Sequence, residues 1–126
     1  MDVTPLIKPG QQIIQSYVDG VFRISGQSYH HAVIVSPQQT MVWTDVQSVE
    51  TLSMEDFLPL IVQSDEIDVV LLGTGATMKF FDPILKTELS AKGIVVDVMD
   101  TGAACRTYNV LMAEGRRVVA AMLPVI

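Results

Sequence analysis

The chain has 126 residues, 49% of them hydrophobic and 17% charged, with a formal net charge of −6. That is enough for one domain over 1–126 with a substantial core, and the composition speaks against a disordered chain. The acidic balance opposes contact with a phosphate backbone, and the pair Arg116-Arg117 is too small a basic patch to reverse it, so nucleic acid is not an expected partner.

The N-terminus, Met1-Asp2-Val3-Thr4-Pro5, has neither the basic start nor the apolar stretch of a signal peptide. A single cysteine offers no intramolecular disulfide, and with the missing leader this makes a cytoplasmic location the expectation. From there the chain reads with period two. Residues 13–18 form the first run, Asp19-Gly20 is a hairpin signal, and 21–25 return, with Phe22 and Ile24 pointing one way and Arg23 and Ser25 the other. Gly26-Gln27 leads into a third strand over 29–35, which Ser36-Pro37 ends, and 41–43 is a short fourth. The expectation for this half is an antiparallel β-meander.

Beyond residue 53 the rhythm changes to alternating helix and strand. Ser53 and Asp56 have the spacing of a capping box and open a helix over 54–63, inside which Pro59 marks a kink or the true start. Residues 68–72 and 93–98 are almost wholly apolar, as strands are when helices cover both faces of a parallel sheet. Asp82-Pro83 opens a helix that Gly93 stops. Asp100 or Thr101 caps the next helix, Gly115 closes it, and 118–123 forms the last strand. The order is βαβαβ after a β-meander. Right-handed crossovers then make 69–72, 94–98 and 118–122 buried parallel strands of one sheet. No membrane insertion is expected, because runs such as 118–126 are far short of the roughly 20 apolar residues that a spanning helix needs.

Open α/β sheets bind ligands beyond the carboxyl ends of their parallel strands, which selects the loops Gly73-Thr74-Gly75-Ala76-Thr77 and Asp100-Thr101-Gly102. The first is not a dinucleotide fingerprint: Met78 stands where the third small residue belongs, and the next helix start is distant, at Asp82-Pro83. Its glycines suit a tight strand exit at positive φ, and bare N–H groups there are of a kind that receives a small anion.

Cys105 lies at the edge of an apolar helical stripe made by Ala104, Tyr108, Leu111 and Met112, where a free cysteine fills a small space. A helix N-terminus and Arg106 would favour its thiolate. A nucleophile also needs a base, and His30 and His31 point to opposite sides of a strand, so at most one approaches it and the pair binds no single metal. Packing is therefore the expected role of Cys105. Tyr108 reads as a core anchor with its hydroxyl bonded at the rim. Asn109, a poor helix former in mid-helix, either faces solvent, which is the expectation, or satisfies a loop.

The segments LLGTG, from residue 71, and LSAKGIVVDVMDTGAACRTYNVLMAEGRRVVAAMLP, from residue 89, resemble a family of small α/β domains of unknown function. That family includes mitochondrial complex I assembly factor 3 and adipogenesis-associated relatives. The likeness extends from the Asp19-Gly20 hairpin through Trp43 to Pro124. It implies a three-layer α/β single domain with a mixed central sheet, a βαβαβ C-terminal half and the added N-terminal antiparallel β-meander. It also implies a role in assembly with no established catalytic mechanism.

Two functions follow as expectations. The leading one is a non-enzymatic, assembly-factor-like binding domain with a protein partner, no cofactor and no metal, using the strand-end loops or the helix face that carries Arg106 and Asn109. The alternative is a small-molecule or anion-binding domain, extending to a thiol-dependent enzyme. Its site would lie at the carboxyl ends of the parallel strands, around Gly73, Thr74, Gly75, Thr101, Cys105, Arg106 and Asn109, with Cys105 as the catalytic candidate.

Overall fold

In the computed structural model, which describes residues 8–126, the chain begins with a small antiparallel sheet. Strands β1 (Ile14–Ser16), β2 (Phe22–Ile24) and β3 (Gln27–Tyr29) pair in that order. Asp19 and Gly20, at φ 56° and 74°, turn β1 toward β2, and Ser25 and Gly26, at φ 46° and 84°, join β2 to β3. Hairpins need such positive φ values because the matching turn twist follows the twist of the strands.

The third strand expected over 29–35 is in fact two strands in different sheets. After β3 the chain passes through exposed His30 and His31 and enters β4 (Val33–Val35), which forms a hairpin with β5 (Thr40–Val42). The meander therefore has three strands. The reason lies in burial: Gln27 and Ser28 are solvated, whereas every residue of β4 is buried, and one strand cannot satisfy both environments.

The helix expected over 54–63 is also broken. Met54–Phe57 forms a 3₁₀ turn, and α1 (Leu58–Ile61) is a single turn with Pro59 in its first positions. Pro59 thus marks a start, where its missing N–H costs nothing. Ahead of it, the Asp56 carboxylate accepts from the Ser53 backbone N–H at 2.8 Å, the reaching-back half of the capping box.

The remaining elements are β6 (Val69–Gly73), α2 (Pro83–Ala91), β7 (Val96–Met99), α3 (Thr101–Ala113) and β8 (Val118–Met122). Asp82 accepts from Ile84 N–H at 2.9 Å and Asp100 from Ala103 N–H at 2.8 Å, so both helices start on an aspartate cap and Thr101 is the first residue inside α3. The central sheet has the order β5-β4-β8-β6-β7; β6 runs parallel to β7 and β8, and β4 runs antiparallel to β8. It is the mixed sheet that the family resemblance implies.

Alternation along the central strands builds the three layers. Leu71, Val118, Ala120 and Met122 face α3 and the small sheet, where Tyr108, Met112, Phe22 and Ile24 meet them. Val70, Leu72, Val119 and Ala121 face the other way, against Leu85 and Leu89 of α2 and the aromatic pair Trp43 and Phe57. β6 and β8 are covered on both faces. β7 is not, which corrects one expectation: it begins at Val96, lies at the edge of the sheet, and leaves Asp97 exposed. The physical cause is that α3 packs across β6 and β8, so its cover stops short of the edge strand.

Candidate functional site

The carboxyl edge of the parallel strands is organised around one hydroxyl. Thr101 is 0% exposed; its Oγ1 accepts from Gly75 N–H at 2.9 Å and donates to the Leu123 carbonyl at 2.7 Å. Its backbone N–H donates to the Gly75 carbonyl at 2.9 Å, and Leu123 N–H donates to the Gly73 carbonyl at 2.9 Å. Exits from β6, β7 and β8 are thereby tied together. The two loops selected from the sequence are hydrogen-bonded to one another at this edge. Space is tight as well. A Cβ on Gly73 would sit 2.9 Å from Thr101 Oγ1 and 3.0 Å from its Cα, a separation that real Cβ atoms do not tolerate. Gly73 is therefore required by the approach of α3. Gly75, at φ +108°, is required by the turn.

A second buried hydroxyl shapes the loop that follows. Thr74 Oγ1 donates to the Thr77 carbonyl at 2.7 Å and accepts from Lys79 N–H at 3.0 Å, while its backbone N–H donates to the Met99 carbonyl at 2.9 Å. Folded around that group, the loop sends Phe81 into the core and turns Met78 and Phe80 outward, at 63% and 79% exposure; Ile84, just inside α2, is 68% exposed. This apolar set is not among the site residues that the sequence points to. Its signal is Phe80-Phe81, since adjacent side chains in an extended segment cannot both turn inward.

Cys105 is buried against Met122, with Sγ and Sδ 3.5 Å apart. Burial pushes its thiol up to about 12, outweighing the downward pull of the Arg106 guanidinium, and the Asp100 carboxylate adds to the rise. The helix N-terminus and Arg106 therefore do not deliver a thiolate at neutral pH. His30 and His31 lie exposed in the link between the two sheets. Among the described residues no three His, Cys, Asp or Glu side chains gather to hold a metal ion.

The remaining α3 residues face the small sheet. Tyr108 OH donates to the Gln12 carbonyl at 2.8 Å, and burial holds that phenol above its usual range. Asn109 does not face solvent as expected. Its Nδ2 donates to the Ile14 carbonyl at 2.8 Å and its Oδ1 accepts from Ile14 N–H at 3.0 Å, so the amide completes β1 as a neighbouring strand would. Arg106 Nη1 donates to Tyr17 OH at 3.1 Å, and that hydroxyl rests where a Cβ on Gly102 would come within 2.9 Å. Of the residues singled out from the sequence, Gly73, Gly75 and Thr101 meet directly. Thr74 shapes the adjoining loop, Cys105 is sealed beneath β8, and Arg106 and Asn109 hold β1.

Two concavities lie away from this edge. One of about 580 Å³, at the opposite end of β6 and β8, is bordered by Lys8, Gln39, Gln63, Glu66 and Arg116, with Arg117 held by Asp68 at 2.8 Å. The other, about 450 Å³, lies beside Trp43, Asp45, Glu55 and Pro59.

A mixed five-stranded sheet layered between α2 on one side and α3 with a three-stranded sheet on the other defines a small three-layer α/β class. The chain belongs to the family described as "Protein of unknown function (DUF498/DUF598)", whose profile matches residues 14–123. It is 35% identical over 111 residues to an uncharacterised protein of Rhodobacter capsulatus, covering 88% of this chain and 83% of the relative. It is 34% identical to NADH dehydrogenase [ubiquinone] 1 alpha subcomplex assembly factor 3 of Danio rerio over 89% of this chain. There it spans only 64% of the relative's length. A crystal structure described as an outer membrane protein from Bartonella henselae superimposes with a TM-score of 0.83 at 36% identity, covering 94% of this chain and 98% of that one. Among the described residues of this chain, no helix is long and apolar enough to cross a membrane.

Proposed function

We propose that the chain is a cytoplasmic, assembly-factor-like domain that binds another protein through the loop following β6. The observation that carries this reading is a preorganised apolar display: Thr74 pins the loop from inside while Met78 and Phe80 stand in solvent. A rigid exposed aromatic loses little freedom when a partner covers it, which is what makes such residues effective anchors. Gly73, Gly75 and Thr101 act as the scaffold that fixes the loop; Cys105, Arg106 and Asn109 join the layers behind it. Membership of a family with relatives named as assembly factors supports the same direction. The test is capture of partners by the tagged protein in its own cell, comparing the natural chain with Phe80→Ser and Met78→Ser. Both variants should fold normally, because both side chains are mostly exposed, and both should lose the captured protein. Undiminished capture by the two variants sinks the reading.

A further inference from the structure

We infer that the open edge of β7 is a second docking surface, one that accepts an extended segment of a partner protein carrying a basic residue opposite Asp97. The inference rests on the reading of the chain as a protein-binding domain and extends it to a surface separate from the Phe80 loop.

Among the described residues β7 is the last strand of its sheet, with its backbone committed on one side only. Val70 N–H donates to the Val95 carbonyl and Thr74 N–H to the Met99 carbonyl, with Val70 in register with Val96 and Gly73 with Met99. Alternate residues of a strand bond to the same neighbour, so Val95, Asp97 and Met99 serve β6 while Val96 and Val98 direct their N–H and C=O groups to the open edge. At the opposite edge the segment before β1 runs alongside the β4–β5 hairpin: Gln12 N–H donates to the Pro37 carbonyl, and the Gln12 side chain accepts from Thr40 at 2.7 Å. Nothing among the described residues does the same for β7.

The side chains decide what fits. Val96 and Val98 pack toward α2, which leaves Val95 and Asp97 on the other face, beyond the cover of α3, while Met99 at the end of the strand is partly covered on the α3 side; Val95 is 55% exposed and Asp97 is exposed at the centre. A second copy is disfavoured in the symmetric pairing centred on Asp97. Antiparallel pairing of β7 with itself, in the register that bonds Val96 to Val98, sets the two Asp97 residues directly opposite at a close, non-hydrogen-bonded position, where like charges repel. The same geometry favours a lysine or arginine on an incoming strand, with an apolar residue opposite Val95. Strand addition of this kind draws affinity from the backbone and specificity from the alternate side chains.

The test uses two short, blocked peptides of alternating valine and threonine, one with a central lysine and one with a central glutamate, titrated into the whole protein and followed by amide NMR. The lysine peptide should shift β7 resonances and slow exchange of the Val96 and Val98 amides; the glutamate peptide should bind about fivefold more weakly. Asp97→Lys should invert that preference while leaving the fold intact. Val98→Pro, which removes an outward donor and part of the Val98 packing toward α2, should abolish binding of both while the β6 and β8 amides keep the exchange protection of the natural chain. No response at β7 from either peptide, or an Asp97-independent response, overturns the proposal, as does concentration-dependent self-association through β7 in the absence of peptide. The Phe80→Ser variant separates the two surfaces: it should still bind the lysine peptide. Loss of the Phe80-dependent capture reading would leave a peptide response at β7 standing, and the reverse.

Discussion

At the scale of single residues, Cys105 shows how burial can override local electrostatic cues. Its position at the start of a helix beside Arg106 suggests a reactive thiolate, and those cues are readable in the sequence. What the sequence does not show is how completely Met122 and the β8 face remove water from the sulfur, and desolvation acts against the charged form. The thiol is raised from 9.0 to about 12 in the folded chain, so the unfolded chain releases its proton first as pH rises. Stability from the neutral buried thiol is fully present below pH 9 and is lost between pH 9 and about 12. Denaturation midpoints of the natural chain and Cys105→Ala, measured from about pH 8 to pH 11, should therefore converge as pH increases, with the natural chain falling faster. Tyr108 also ionises late, but it is common to both proteins and cancels in the comparison. A difference that does not vary with pH, or rapid alkylation of the folded protein at neutral pH, contradicts this account.

At the scale of elements, the parallel strands and their helices were legible because covered strands are continuously apolar and because Asp82, Asp100, Gly93 and Gly115 punctuate the helices. Three features were not. The single strand read over 29–35 hides a change of sheet, visible only as a shift from a polar to a continuously apolar run. The edge position of β7 depends on where α3 crosses, which no local pattern encodes. The glycines at the candidate site invited a ligand reading, whereas close packing explains Gly73. This last point is testable by comparison. Gly73→Ala would drive a Cβ into the Thr101 backbone and Met122, neither of which can swing away, and should cost on the order of 1–3 kcal/mol by chemical denaturation. Gly102→Ala meets chiefly the far end of Tyr17, which can rotate off, and should cost clearly less while breaking the Arg106–Tyr17 hydrogen bond. Equal costs would mean that the β6–α3 junction is looser than its contacts indicate.

At the scale of the whole molecule, the layers are held together by different kinds of contact. β6 and β8 are locked by apolar burial on both faces, whereas the small sheet adds to its Phe22 and Ile24 contacts a row of polar clasps from α3. Tyr108 reaches Gln12, Asn109 brackets Ile14, and Arg106 reaches Tyr17. Polar clasps of this kind set how readily one layer opens without unfolding the rest, because each bond lost leaves polar groups to be resolvated, backbone ones at Gln12 and Ile14. Asn109 is the strongest single link, since its amide satisfies both the donor and the acceptor of Ile14. Asn109→Ala should lower stability by about 1–3 kcal/mol. The loss should be uneven. Amide hydrogen exchange should accelerate in β1, β2 and β3 well before it does in β6 and β8, and the Val70 to Leu72 amides should keep the protection of the natural chain under conditions where global unfolding is negligible. Uniform acceleration across both sheets would show instead that the small sheet and the central sheet open only together, and that the α3 clasps are part of one cooperative unit.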